Sequence, residues 1–230
     1  NPIKANLEKI KAIKDRKEYQ RVTAELDRKG ESTMMYAWGV GADQRNAGNN
    51  IVAISQAGLG LGTPEYYLNE DPQSKAVVGA YKTYMTKLFQ LVGYDAETAA
   101  KKVEAVMEIE NRIAKVSYDQ VKRRDINANY HKLTYAELIE QYPGIDWPTV
   151  FWVSGFPVFN EVDLGQPEPI HEVEKILADT DLDNLKSYAE IRIIAGASSC
   201  MSDEFRKAQF EFSQTLSGQP ADLPRWKRAN

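Results

Sequence analysis

Two consecutive apolar stripes constrain this chain more than any other feature. Val77, Tyr81, Met85, Leu88 and Leu91 recur at spacings of three and four over residues 74–92, and Val103, Val106, Ile109, Ile113 and Val116 do the same after Asp95. That spacing gathers each set on one side of a helix. Gly93 stops the first helix, and Asp95 is a good N-cap for the second. With so short a link, the two long helices bury their stripes by packing as an antiparallel pair. The expected fold is mainly α: a multi-helix lobe with antiparallel helix pairs.

The remaining segments fill in around that pair. Residues 4–29 read as two short polar helices with a narrow stripe of Leu7, Ile10 and Ile13, ended by Gly30. Met34, Tyr36, Trp38 and Val40 alternate at period two, and Ile51-Val52-Ala53-Ile54 follows, with Gly, Asn and Asp enriched over residues 41–50. This predicts one small β-hairpin near residues 34–56 with a long loop. Residues 58–64 form a glycine-rich loop, and Glu65-Tyr66-Tyr67-Leu68 leads toward a helix. Leu138 and Ile139 mark a small helix, Pro143-Gly144 a turn, and Asp146-Trp147-Pro148 a helix start. A short strand is expected over residues 158–162. Thr180 with Asp183 suggests a capping box for a helix over 181–195. Ser202 is expected to cap a last helix, whose face is Phe205, Ala208, Phe212 and Leu216 and whose end is Gly218. With no internal repeat, low-complexity tract or linker, residues 1–230 are expected to form a single helical lobe.

Composition narrows the function. Of the 230 residues 43% are hydrophobic, enough for a real core, yet no stretch approaches the ~20 uncharged apolar residues of a membrane span. The net charge of −4 argues against a nucleic-acid partner. The basic runs at residues 9–17 and 122–124 are interleaved with acids or apolar positions and read as solvated helix faces. Cys200 is the only cysteine, so an intrachain disulfide is impossible, and a lone Cys is more often a small buried apolar residue than a nucleophile. The chain starts at Asn1 without an initiator Met and ends on the aromatic-basic run Pro224-Arg225-Trp226-Lys227-Arg228; both ends are expected to continue into a longer protein.

None of the constellations that could carry chemistry is complete. His131 and His171 are the only histidines. His171-Glu172-Val173-Glu174-Lys175 begins like the zinc-peptidase helix His-Glu-x-x-His, but Lys175 holds the place of the second imidazole, and a cation cannot serve as that ligand. A polar helix start is the better reading. Gly196-Ala197-Ser198-Ser199 lacks the spacing of a nucleophile elbow. The Gly58-x-Gly60-x-Gly62 loop is followed by Thr63-Pro64 and by no βαβ pattern, which favours a structural loop over a phosphate cradle. The carboxylate pairs Glu104/Glu108 and Glu172/Glu174 read as solvated helix surface. No catalytic, metal-binding or substrate-binding residue is assigned, and no cofactor is expected within the segment itself.

The order of motifs carries more than any one of them. Asn49-Asn50-Ile51 through Gln56, Gly58-Leu59-Gly60-Leu61, Tyr66-Tyr67-Leu68, Asn129-Tyr130-His131-Lys132-Leu133-Thr134 with Leu138, Tyr188-Ala189-Glu190-Ile191-Arg192, Phe210-Glu211-Phe212 with Leu216-Ser217-Gly218, and the closing Pro224-Arg225-Trp226-Lys227-Arg228 together resemble the N-terminal region of the neprilysin and endothelin-converting-enzyme family. The resemblance covers essentially the whole chain. One departure is visible: the family usually writes Pro-Asp-Arg-Asp before the paired tyrosines, where this chain has Gly62-Thr63-Pro64-Glu65.

Members of that family are zinc metalloendopeptidases whose ligands come from His-Glu-x-x-His and a downstream Glu-x-x-x-Asp. Neither motif is in this sequence, and no functional residue of the family is carried over. The resemblance implies a helical lobe that restricts substrates to small peptides and whose partner is the catalytic lobe of the same protein, which holds the zinc. It also implies an extracytoplasmic location: periplasmic, secreted or membrane-anchored. Animal members are disulfide-rich, so the single cysteine points to a bacterial relative. The alternative is a stand-alone helical module that binds a peptide or ligand without catalysis, or a hydrolase using surface carboxylates.

Overall fold

The computed structural model describes residues 3–156 and 159–218. The chain opens with α1 (Lys4–Lys11) and α2 (Arg16–Asp27), the latter capped by Asp15, whose Oδ1 accepts the Glu18 N–H at 2.8 Å. Gly30, at φ +91°, turns the chain out of this pair. Two strands follow, β1 (Tyr36–Asp43) and β2 (Asn46–Gln56). After the glycine loop come α3 (Glu65–Leu68), α4 (Pro72–Leu91) and α5 (Ala96–Val116). Asp71 caps α4 with Pro72 in its first turn, two residues before the start expected at residue 74, and Asp95 caps α5 as expected.

Contacts between α4 and α5 run in opposite directions along the two helices. Tyr81 meets Glu110, and Lys82 pairs with Glu104 at 3.0 Å, as in an antiparallel pair. Met85, Leu88 and Phe89 of α4 and Val106, Ile109 and Ile113 of α5 are buried at the shared core. Each such side chain stabilises the fold by about 1.5–3 kcal/mol.

The second half contains β3 (Lys132–Thr134), α6 (Tyr135–Gln141), α7 (Trp147–Ser154), β4 (Glu161–Leu164), α8 (Pro167–Asp179), α9 (Leu182–Ala197) and α10 (Asp203–Ser217). Helix α9 is the spine of the lobe. Leu185, Tyr188, Ala189, Ile191, Ile193 and Ile194 are buried around its whole circumference, as befits a helix enclosed on all sides. Helix α7 leans on α2 and on the sheet: Trp147 is fully buried, its ring 5.3 Å from Tyr36, and Arg28 Nη1 donates to the Val153 carbonyl at 3.1 Å.

The sheet goes beyond the expected hairpin. Its order is β1-β2-β4-β3, with β2 parallel to β4 and the outer pairs antiparallel. The long loop expected over residues 41–50 is mostly paired strand: Gly41 faces Ile51, Ala42 faces Asn50, and a register shift at Ala42/Asp43 leads into a tight turn held by the Arg45 N–H on Asp43 Oδ1. Both faces of this stretch are solvated, so its polar residues gave no alternation to read.

Other expectations shift. The strand expected over 158–162 lies at Glu161–Leu164, and Pro157 and Val158 fall outside the described residues. Asp181, not Thr180, caps α9; Thr180 closes α8. Ser202 stands at the start of α10, but its hydroxyl donates to Glu204 instead of accepting a backbone amide. Leu216 of the expected α10 face is exposed, and so is Cys200. Lys122–Arg124 form an exposed 3-10 turn in place of a helix face. The terminal run from Pro224 to Arg228 lies outside the described residues.

Candidate functional site

The most unusual chemistry in the lobe is a buried carboxylate beneath the glycine loop. Helix α5 carries Glu110 on its core-facing side, with no solvent exposure. Three donors converge on it. Tyr67 Oη of α3 donates to Oε2 at 2.7 Å, Tyr81 Oη of α4 donates to Oε1 at 3.1 Å, and the Gly60 N–H donates to Oε1 at 3.2 Å. Tyr67 Oη in turn accepts the Leu61 N–H at 3.0 Å, so the loop backbone is tied to the cluster twice. Tyr188 of α9 completes the cradle by donating to the Gly58 carbonyl at 2.9 Å.

Burial pushes the Glu110 carboxyl up to about 7, against the hydrogen bond from Tyr67, the nearby charge of Arg192 and the bonds from Tyr81 and Gly60. Burial and the neighbouring carboxylate push Tyr67 and Tyr81 well above the usual phenol range, which keeps both as donors. Arg192, one turn after Tyr188, reaches across to the Ser32 carbonyl at 3.3 Å. The arrangement can hold a loop and lock α3, α4, α5 and α9 together. The amide that would cradle a phosphate in a glycine loop is already committed to a carboxylate, so the loop is structural, as the sequence indicated.

Sequence inspection considered the other carboxylates of α5 and missed Glu110. A signal was present, because Glu110 falls in step with Val103, Val106 and Ile113 on the buried face. A charged residue at a core position of a helical stripe marks a buried polar network. Tyr67, Tyr188 and Arg192 entered the sequence reading only as parts of motifs.

The residues considered for chemistry stay apart. His131 is held by its Nδ1 on the Leu164 carbonyl at 3.0 Å. His171 lies on α8, stacked on Tyr142 with ring centroids 4.4 Å apart, its Nδ1 2.9 Å from Glu174. Glu174 also accepts the Gly144 N–H at 2.7 Å, and Glu172 pairs with Arg112 at 2.8 Å. Glu104 pairs with Lys82. Ser198 is buried, donates to the Ile194 carbonyl at 2.8 Å and accepts from Tyr84 Oη at 3.3 Å. Among the described residues no three of His, Cys, Asp or Glu stand close enough together to hold a metal ion, and no helix is long and apolar enough to cross a membrane. The position four residues after His171 is Lys175, 3.7 Å from Glu172, so α8 does not complete a His-Glu-x-x-His ligand pair.

Comparison with known proteins places the fold. Endothelin-converting enzyme 1 of Bos taurus is 32% identical over 196 residues, which is 82% of this chain and 26% of that protein. Endothelin-converting enzyme-like 1 of Mus musculus is 28% identical over 199 residues, 83% of this chain and 25% of that protein. The structure of the zinc metalloprotease ZMP1 of Mycobacterium tuberculosis in complex with an inhibitor superposes with a TM-score of 0.92 at 27% identity, covering 99% of this chain and 35% of that one. The chain thus spans about a quarter of the length of the curated relatives it matches. The profile for the N-terminal region of peptidase family M13 matches residues 1–230, and with a match over its whole length the chain belongs to peptidase family M13.

Proposed function

We propose that this chain is the non-catalytic helical lobe of a longer, two-lobe, extracytoplasmic zinc metalloendopeptidase, and that it restricts the enzyme to small peptides. One observation carries the reading: the family match runs from residue 1 to 230 over a sequence with neither His-Glu-x-x-His nor Glu-x-x-x-Asp. The zinc and the hydrolytic groups then belong to the rest of the protein. This lobe's own contribution is shape, through helices tied to one another by the Glu110 cluster and by the Arg112 bridge from α5 to α8.

Two measurements test it. Residues 1–230 produced alone are expected to retain no stoichiometric zinc and to cleave no peptide; chelator-sensitive cleavage by this segment would refute the assignment. In the complete protein a short peptide is expected to be cut far faster than the same sequence inserted into a loop of a folded protein. Equal rates would remove the size-restricting role. Selective peptide binding by a complete protein that cleaves nothing would favour the stand-alone binding module instead.

A further inference from the structure

The segment joining α5 to β3 presents a surface that the peptidase reading does not use. Residues 119–127 are nine consecutive exposed residues. Two are aliphatic, Val121 at 79% and Ile126 at 56% of full exposure, and between them lie Lys122, Arg123 and Arg124. Arg45, from the turn between β1 and β2, joins the same surface: its Nη2 donates to Asn127 Oδ1 at 3.1 Å, and its guanidinium lies 4.6 Å over the Tyr130 ring.

The segment is built, not slack. Asn129, buried beneath it, donates from Nδ2 to the carbonyls of Lys122 and Asp125 at 2.6 and 2.7 Å, and Gln166 fixes the Asn129 side chain by donating to its Oδ1 at 2.6 Å. The two aspartates of the segment are turned onto its own backbone. Asp119 accepts the Lys122 N–H at 2.7 Å, and Asp125 accepts the Asn127 N–H at 2.9 Å. Four cations thus surround two aliphatic tips, Lys122 with its Nζ 3.4 Å over the Tyr118 ring, and they outnumber the two aspartates of the segment on a chain whose net charge is −4.

We propose that this surface docks on an anionic lipid membrane, with Val121 and Ile126 entering the headgroup layer and Lys122, Arg123, Arg124 and Arg45 facing the lipid phosphates. Charge complementarity selects the sign of the partner. Aliphatic tips ringed by cations match the apolar and anionic layers of a lipid surface, and an acidic protein is the competing outcome of the test. Two tips and four cations give weak, reversible, salt-sensitive attachment. The proposal does not depend on the peptidase assignment.

The test is sedimentation of the complete protein with vesicles of phosphatidylcholine alone, or of phosphatidylcholine and phosphatidylglycerol in equal parts. Binding is expected only to the anionic vesicles and should fade as salt is raised. Removing two cations by R123Q/R124Q should weaken it by about thirtyfold, and V121S/I126S should weaken it by about tenfold or more. Peptide cleavage in solution should be unchanged in both variants. Any of these would overturn the proposal: equal binding to both vesicle types, anionic binding untouched by either pair of substitutions, no binding to the anionic vesicles, or that same absence in a protein that V121S/I126S destabilises. The last would assign the surface to a contact within the complete protein. Retention on a polyglutamate column without vesicle binding would assign it to an acidic protein, and would overturn the proposal equally.

Discussion

A methyl group placed on Gly60 would lie 1.8 Å from Tyr81 Oη, 2.6 Å from Tyr81 Cζ and 3.0 Å from Glu110 Oε1. Gly60 is not among the glycines with positive φ, so alanine fits the backbone there and the clash alone decides the outcome. Restoring ordinary contact moves the phenol by about 1.6 Å. Tyr81 is 5% exposed, enclosed between Glu110 and the Phe212 ring, whose centroid lies 5.6 Å away. Overpacking of this kind costs about 1–3 kcal/mol, and the displaced hydroxyl gives up its bond to a buried carboxylate, worth about 1.5–3 kcal/mol more. Gly60→Ala should therefore destabilise the lobe by about 2.5–6 kcal/mol. Urea unfolding followed by tryptophan fluorescence reads this directly: at a slope of about 3 kcal/mol per molar, the midpoint falls by about 0.8–2 M. The mechanism is checked in a Tyr81→Leu background, where the colliding phenol is gone and the increment from Gly60→Ala should shrink to about 1 kcal/mol or less. An equal loss in both backgrounds, or a loss below about 0.5 kcal/mol in the native one, would refute the claim that the loop is clamped through Tyr81 and Glu110.

Gly62→Ala is the matched contrast: Gly62 has φ +77° and nothing within 4 Å of its added methyl, so only the left-handed backbone is strained and the cost should be about 1–2 kcal/mol by the same assay. Glu110→Gln should change the pH dependence of stability. The folded carboxyl, at about 7, lies above its ordinary 4.5, so its neutral form favours folding; that contribution is complete below about pH 4.5 and is lost as pH rises through 7. The glutamine variant should therefore gain on the native protein across that window by at most about 3 kcal/mol. Urea midpoints at a series of pH values would show the gain, and a difference flat with pH would contradict it. Arg112→Ala removes the two-pronged contact to Asp179, at 2.6 and 3.1 Å, and leaves a mostly buried Glu172 with only the longer Lys175 pair at 3.7 Å. A loss of about 1–3 kcal/mol by thermal unfolding is expected, and one within 0.5 kcal/mol would mean that the bridge between α5 and α8 adds nothing.

How far the sequence exposed the fold depended on how one-sided each element's burial is. Helices α4 and α5 bury one face and show the other to water, so their period could be read and their glycine and aspartate boundaries fell where expected. The far part of the hairpin is solvated on both faces and was read as a loop. Strand β4 is short and lies against the middle of β2 across a long crossover, a pairing that no local pattern encodes. Helix α9 raised a different difficulty. Buried all round, it has no polar face to fix its start, and two adjacent candidates for the cap, Thr180 and Asp181, compete. Asp181 prevails because its Oδ1 accepts the Asp183 N–H at 3.0 Å, while Thr180 completes the last turn of α8.

The stripe of α5 marks Glu110 as buried, but its partners are illegible in the sequence, for a reason that bears on what the cluster does. A catalytic group advertises itself by a motif, because chemistry fixes the spacing of neighbours in the chain. Here the partners of Glu110 come from positions 60, 67 and 81, with Arg192 near, and none of these spacings is imposed by a reaction. What fixes them is the meeting of four helices and a loop at one buried point. A carboxylate there is costly unless every lone pair finds a donor, and its reward is that only one mutual arrangement of those elements satisfies it. Such a cluster holds a rigid body together. The proposed role as a wall that excludes large substrates would call for that rigidity.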